Sequence, residues 1–243
     1  MIGVWDKDGI MMNNWKDKFP KENRYFETDN GILYCGDCLK IMKEFPKESV
    51  DLILTDPPYG INLKAQRKTS KFKDVKIKND ENVNIIKKFI PLVSKITNTI
   101  YMFVSWYEIG KIQPIFEKYF IYKNCLVWDK MWFGMGNNWR PNHEFIMYGV
   151  KNHSGKLSSN NKENILRHRR LHPSKMNHIC EKPTSLLTEI IEQHNGIVLD
   201  CFVGSGSTLV ACNNLNRRWV GIELEEKYCE ISKRKILKEE NLL

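Results

Sequence analysis

The chain predicts an α/β domain with a mostly parallel sheet, on three observations. Short β-like apolar runs alternate with amphipathic helical ones along most of its 243 residues, as strands joined by crossover helices do. Two of those runs, at 50–55 and 197–201, lead into an acidic residue and a proline or glycine turn, the form of strand ends that hold ligands in open α/β sheets. A 42% apolar and 11% aromatic composition supplies one sizeable core.

Residues 1–30 show no clear period and read as an extension wrapped on a domain that runs from 31 to 243. Strands are expected at 31–34, 50–55, 99–105, 122–128, 144–150, 197–201 and 218–223, each an apolar or β-branched run bounded by turn residues. Val83, Ile86, Phe89, Ile90 and Val93 recur at helical spacing, although Pro91 interrupts the pattern, and so do Leu186, Leu187, Ile190 and Ile191. A helix is expected to open near Ser207, and another at 225–238 opens acidic and closes basic, as the helix dipole prefers.

The seven cysteines are odd in number and thinly spread, which suits reduced thiols. Cys35 and Cys38 form a lone Cys-x-x-Cys pair with no partner pair at zinc spacing, so two ordinary thiols and no metal are expected. No apolar run approaches the roughly 20 residues needed to span a bilayer, and the first residues lack the apolar stretch of a secretory signal. A soluble, cytoplasmic protein without membrane contact is the expectation.

Charge is unevenly placed. The formal charge is +9, yet segments 62–78 and 151–175 hold fourteen basic residues against two acidic ones, a net +12, while the remaining 24 basic and 27 acidic residues give −3. A solvated face is one reading of such runs. Two basic, loop-like segments on a slightly acidic globule fit a polyanionic partner better, most simply nucleic acid.

Two segments carry the chemistry. In the first, Ile197-Val198-Leu199-Asp200-Cys201-Phe202-Val203-Gly204-Ser205-Gly206-Ser207-Thr208, a strand passes through an acid and a Gly-Ser-Gly turn into a helix. Glycines there let backbone approach a ligand, and the helix start offers N–H groups to an anion. Glu223 closes the next strand, where a carboxylate can accept from both hydroxyls of a ribose. This unit suits a dinucleotide, S-adenosylmethionine, or merely a tight turn.

The second segment, Val50-Asp51-Leu52-Ile53-Leu54-Thr55-Asp56-Pro57-Pro58-Tyr59-Gly60, ends a strand in Asp-Pro-Pro-Tyr. Two prolines fix the backbone just past the strand end and keep the Pro57 carbonyl out of a helix. Asp56 and that carbonyl can then face one exocyclic amine while Tyr59 stacks on its base. A proline turn capped by an aspartate is the bland alternative.

With these motifs the chain closely resembles the permuted beta class of DNA amino-methyltransferases that act on adenine N6 or cytosine N4. In that family Asp-Pro-Pro-Tyr precedes Phe-x-Gly-x-Gly, and a target-recognition region lies between; the same order runs here from Asp56 through 151–177 to Phe202. Further segments also resemble family motifs: Tyr34-Cys35-Gly36-Asp37-Cys38-Leu39, Phe103-Val104-Ser105-Trp106, Val127-Trp128-Asp129-Lys130, Asn137-Asn138-Trp139-Arg140-Pro141-Asn142-His143-Glu144 and His178-Ile179-Cys180-Glu181-Lys182-Pro183. Cys201 departs from the family's usual proline.

The resemblance implies a Rossmann-like S-adenosylmethionine methyltransferase fold, circularly permuted, with helices on both sheet faces. It implies that Asp200, Phe202, Gly204, Ser205 and Gly206 hold the methionine part of S-adenosylmethionine, Glu223 its ribose and Asp37 its adenine amine. Asp56, Pro57, Pro58 and Tyr59 would hold the target. His178 and Lys182 match a segment near the cofactor carboxylate, or are a solvated pair before a helix. Lys64, Arg67 and Lys68 in a basic loop at 62–78, expected to be mobile without DNA, and Arg167, Arg169 and Arg170 in the recognition segment are expected to contact double-stranded DNA. A homodimer, a helper subunit and a cognate restriction endonuclease are the further partners the family suggests.

The expected activity is N6 methylation of a flipped-out adenine. Cytosine N4 methylation is the nearest alternative, and acceptors in RNA or protein glutamine belong to relatives with the other motif order. A nicotinamide dehydrogenase and a non-catalytic nucleic-acid-binding protein are the rivals of other classes.

Overall fold

A computed structural model describes residues 4–5, 11–12, 14–58, 84–132, 138–152, 157–159, 161–172, 174, 176 and 181–240. In chain order the elements are β1 (Val4–Trp5), β2 (Met11–Met12), a 3-10 turn at Trp15–Lys18, β3 (Arg24–Thr28), β4 (Gly31–Cys35), α1 (Cys38–Ile41), a 3-10 turn at Met42–Glu44, β5 (Leu52–Thr55), α2 (Asn84–Ile96), β6 (Thr99–Val104), α3 (Ile109–Phe116), β7 (Ile121–Asp129), β8 (His143–Val150), β9 (Ile165–Arg167), α4 (Thr184–Ile191), β10 (Val198–Asp200), α5 (Ser207–Asn214), β11 (Trp219–Glu223) and α6 (Glu226–Glu240). Among the described residues β3 to β11 form one nine-stranded sheet in the order β3-β4-β11-β10-β5-β6-β8-β7-β9.

Five neighbouring pairs are parallel and three antiparallel, so the sheet is mostly parallel as expected. Its central strands are buried on both faces, and successive side chains supply two separate cores. Ile32, Tyr34, Ile53, Ile100 and Met102 pack with α1, α2 and α3 on one face. Leu33, Leu52, Leu54, Tyr101 and Phe103 pack with α4, α5 and α6 on the other.

The period read for α2 is the face it buries: Ile86, Phe89, Ile90 and Val93 are fully shielded. Pro91 sits inside this helix without ending it. The carbonyl its missing N–H leaves without a helical partner belongs to Lys87, on the exposed face, where water can satisfy it.

Two sequence expectations change. From residue 14 on, the supposed extension is part of the domain: β3 pairs antiparallel with β4, Trp15 and Phe19 pack on the core, and the Arg24 guanidinium donates to the carbonyls of Lys16, Phe19 and Pro20 at 2.7–2.9 Å. The recognition segment, expected to be loop-like, contains β9, which pairs parallel with β7 and buries Leu166. The three residues of β9 are too few to carry a period, and its partner β7 is distant in sequence; β3 is an edge strand hairpin-paired with β4, and its partly exposed residues show no clear alternation.

Crossover direction places the functional edge. From β10 the chain crosses through α5 to β11 on one side, and from β5 through α2 to β6 on the other. Since β10 and β5 are adjacent and parallel, the connections diverge between them, opening a crevice beyond their carboxyl ends.

Candidate active site

Four parallel neighbours, β4, β11, β10 and β5, end on the same edge and deliver Asp37, Glu223, Asp200 and Asp56 in a row. Adjacent strands lie about 4.8 Å apart, so the row spans roughly the length of a nucleoside with a short side chain. The sequence predicted each of these acids separately, and the sheet brings them together.

The turn after β10 is built from its own side chains. Asp200 is 4% exposed, and its Oδ1 accepts the Thr55 hydroxyl at 2.8 Å and the Phe202 N–H at 3.1 Å. Burial pushes its pKa up to about 6 against these hydrogen bonds and one from Thr208, with the nearby Asp56 charge adding to the rise. Cys201 N–H in turn donates to the Thr55 hydroxyl at 3.3 Å, lacing β10 to β5. Phe202 packs against Phe89 of α2, ring centroids 5.3 Å apart.

Gly204 and Gly206 have φ of 55° and 84°, a region open chiefly to glycine. Gly206 also lies so close to α6 that a Cβ there would stand 2.8–3.0 Å from Ser232. Ser205 between them is buried. Gly206 is the N-cap of α5, so the helix presents its positive end to the crevice.

Glu223 accepts the Gly204 N–H at 2.7 Å on one oxygen and the Glu225 N–H at 2.8 Å on the other. Burial raises its pKa, and those two N–H groups oppose the rise. Each carboxylate oxygen has two acceptor sites, so the same group can clamp the turn and still accept a hydroxyl. Asp37 caps α1 through the Leu39 N–H at 2.9 Å. Cys38 beside it is a neutral thiol, its pKa pushed up to about 12 by burial and then by Asp37.

Asp56, Pro57 and Pro58 follow β5 directly, with Pro57 buried. Asp56 Oδ2 is 2.5 Å from Lys182 Nζ, and the same ammonium is 3.1 Å from Glu144 Oε2. Glu144 Oε1 meets Lys130 at 2.6 Å. Burial works to raise the Glu144 pKa, yet Lys182 and Lys130 hold it down at about 2. Lys182 thus stands on the Asp56 side of the crevice. Tyr59, His178, Lys64, Arg67 and Lys68, with the whole 62–78 loop, lie outside the described residues.

Of the DNA-contact candidates, Arg167 is exposed and paired with Glu163 at 2.9 Å, while the Arg169 guanidinium lies 5.0 Å from the centre of the Trp132 ring. The Arg170 N–H donates to Lys130 O at 3.1 Å, joining this strand end to β7. Sequence reasoning missed the aromatic rim around them. Trp106 and Tyr107 beyond β6, Met131 and Trp132 beyond β7, and Trp139 are all exposed, Trp139 at 99%. A cleft of about 600 Å³ lined by Asp129, Met131, Trp132, Arg140 and Asn142 opens there. Lys130, Glu144 and Trp139 sat in segments matched by resemblance, but nothing local marked what they would touch.

Known proteins resemble this chain in sequence and fold. The DNA methylase family profile matches residues 50–234. The type II methyltransferase M.HpaI of Haemophilus parainfluenzae is 28% identical over 86% of this chain and 75% of its own length. A crystal structure of an M1.HpyAVI-SAM complex superposes with a TM-score of 0.63 at 29% identity, covering 84% of this chain and 98% of that one. The fold is also that of the PvuII DNA methyltransferase (cytosine-N4-specific), with a TM-score of 0.65 at 16% identity over 89% of this chain and 96% of that one.

Proposed function

Because the chain belongs to the N6/N4 DNA methylase family, we propose that it methylates the N6 amine of an adenine flipped out of duplex DNA. S-adenosylmethionine is the methyl donor, and its sulfonium supplies an electrophilic methyl group. The observation that carries the reading is the adjacency of the Asp56-Pro57-Pro58 strand end to the Asp200–Gly206 turn across the crevice between β5 and β10.

The residues fit that donor by chemistry. Its ammonium, ribose hydroxyls and adenine amine are hydrogen-bond donors, and the row of strand-end carboxylates consists of acceptors. Asp37 and Glu223 would hold the adenine amine and the ribose; the turn at Phe202, Gly204, Ser205 and Gly206, braced by Asp200, would hold the methionine part, with the α5 N-terminus suited to its carboxylate.

An aromatic amine is a poor nucleophile because its lone pair is delocalised into the ring. Asp56 and the Pro57 carbonyl can accept its two N–H bonds, which favours a tetrahedral nitrogen with its lone pair out of conjugation with the ring and stabilises the positive charge that grows there; the donor's sulfur would leave as a neutral thioether, and the methylated nitrogen would then give up a proton. The amine lies inside the stack of a duplex, so the base must leave it. Tyr59 then supplies a stacking face. Arg169, Arg170 and the exposed tryptophans along the same rim suit a polyanion carrying aromatic bases.

The test is incubation with isotopically labelled S-adenosylmethionine and unmethylated genomic DNA, then digestion to nucleosides and mass spectrometry. Labelled N6-methyladenine from the wild type, and none from Asp56→Ala, is the expected result. Labelled N4-methylcytosine would keep the mechanism and overturn the choice of base. Label in neither nucleoside would reject the proposal for DNA.

A further inference from the structure

Lys182 directly precedes Pro183, the N-cap of α4, and its side chain is 8% exposed. Its ammonium lies between two carboxylates, Asp56 at 2.5 Å and Glu144 at 3.1 Å, and against two rings, Phe103 at 4.8 Å and Trp128 at 6.0 Å. Lys130 closes the far end on Glu144 at 2.6 Å. The backbone beside Lys182 is anchored from another layer, since Glu181 is tied to Lys235 of α6 at 2.5 Å.

Charges therefore alternate along Asp56, Lys182, Glu144 and Lys130 and sum to zero, as a poorly solvated cluster requires. Asp200 on β10 also faces this cluster, since its carboxyl feels the Asp56 charge. The Lys182 ammonium donates to Asp56 Oδ2 and stands within ion-pair distance of Glu144 Oε2. That commitment is to the target side of the crevice, and it leaves Lys182 ill placed as the holder of a cofactor carboxylate.

We propose that Lys182 is the positioning residue of the target-amine pocket: it fixes the Asp56 carboxylate through Oδ2, and Glu144 with Lys130 fixes Lys182. The proposal rests on the reading of Asp56 as the amine's acceptor. An aspartate at a strand end has rotamers to choose from, and the Lys182 ion pair on Oδ2 holds one of them. The ion pair selects it before any base arrives, so the reorganisation is complete before the methyl group moves.

The experiment measures the dissociation constant for S-adenosylmethionine by calorimetry and the single-turnover rate of DNA methylation. It compares wild type, Lys182→Met, Lys182→Arg, Glu144→Gln and the Lys182→Met/Glu144→Gln double variant. Cofactor affinity should stay within about threefold throughout, while the single-turnover rate falls about 100-fold in Lys182→Met and about tenfold or less in Lys182→Arg. Glu144→Gln should cost about tenfold alone and less than about twofold in the Lys182→Met background, because Glu144 acts only through Lys182.

Cofactor affinity weakened tenfold or more by Lys182→Met, with the rate at saturating cofactor unchanged, would overturn the proposal and return Lys182 to the cofactor carboxylate. Additive losses for the two substitutions would overturn it as well. Should Lys182→Met fail to fold, the Lys182→Arg and Glu144→Gln arms decide. A readout free of turnover separates this inference from the assigned activity: the Nζ resonance of Lys182 in ¹⁵N-lysine-labelled protein. It should move strongly on Asp56→Asn, and an unmoved resonance would overturn the pairing even if no DNA were methylated.

Discussion

Asp56 and Gly206 answer to different physics, and substitutions separate them. Asp56 is half-buried at a strand end, so Asp56→Asn should leave folding and cofactor affinity near wild type. The rate of methyl transfer should fall about 10³-fold, as when an electrostatic partner of the transition state is lost; a rapid-quench assay beside calorimetry checks both. Gly206 stands at φ 84° with Ser232 in the path of any Cβ, so Gly206→Ala should lower stability by about 1–3 kcal/mol in urea titration and weaken S-adenosylmethionine binding with it. Asp200 gives a pH signature. Its carboxyl pKa is up at about 6 in the folded protein, so the folded state binds the proton more tightly than the unfolded chain. Its contribution is then favourable at low pH and is lost as pH rises from about 4 to about 6, by up to about 3 kcal/mol. Asp200→Asn should flatten the stability profile over that window, read as melting temperature at pH 4.5 and 7. Glu144, held at about 2 by Lys182 and Lys130, has the opposite sign: its contribution is present at neutral pH and is lost as pH falls toward 2.

At the scale of elements, legibility followed length and burial. The strand at 52–55 and the helix at 84–96 announced themselves because four consecutive buried residues, or a repeated i, i+3, i+4 stripe, reflect how the element faces the core. β3 and β9 did not, since each sits at an edge of the sheet and its residues are partly exposed. β9 is held by neighbours rather than by its own pattern. The Trp128 indole N–H donates to His168 O at 2.7 Å, and the His168 ring lies 2.7 Å from Glu189 and 2.9 Å from Ser185, both on α4. β9 and the residue after it are thus clamped between β7 and α4. Leu166→Ala, which empties its one buried position, should destabilise by about 2 kcal/mol and weaken DNA binding severalfold. Cofactor affinity should be unchanged, as urea titration, DNA-binding anisotropy and calorimetry together would report.

Across the whole molecule, the arginines at the end of β9 and the candidate site lie on one edge of the sheet. Arg167, Arg169 and Arg170 at the end of β9 flank the aromatic rim, and the remainder of the chain outside the two basic segments is slightly acidic. Arginines clustered beside the crevice would favour approach of a polyanion there over the acidic surface elsewhere. Replacing Arg169 and Arg170 by alanine should reduce the slope of log affinity against log salt by as much as about 2, with sequence preference kept, if both meet phosphates. A flat slope change with relaxed preference would instead mark them as readers of bases. Salt-dependent anisotropy on specific and scrambled duplexes distinguishes the two.

What the sequence determined by itself was local and ordered: the strand ends at Asp56 and Asp200, the Gly-Ser-Gly turn and the order of the two motifs. Backbone preferences of proline and glycine, and burial of short apolar runs, act within a few residues and leave their mark there. What only the tertiary structure decided was partnership. Lys182 reads equally as a cofactor ligand or a solvated cation until the fold carries it across 126 residues of chain to Asp56, and Glu144 reads as a strand acid until Lys182 and Lys130 enclose it. Attraction between buried charges depends on distance through the protein and on the water excluded between them, and neither quantity is written along the chain.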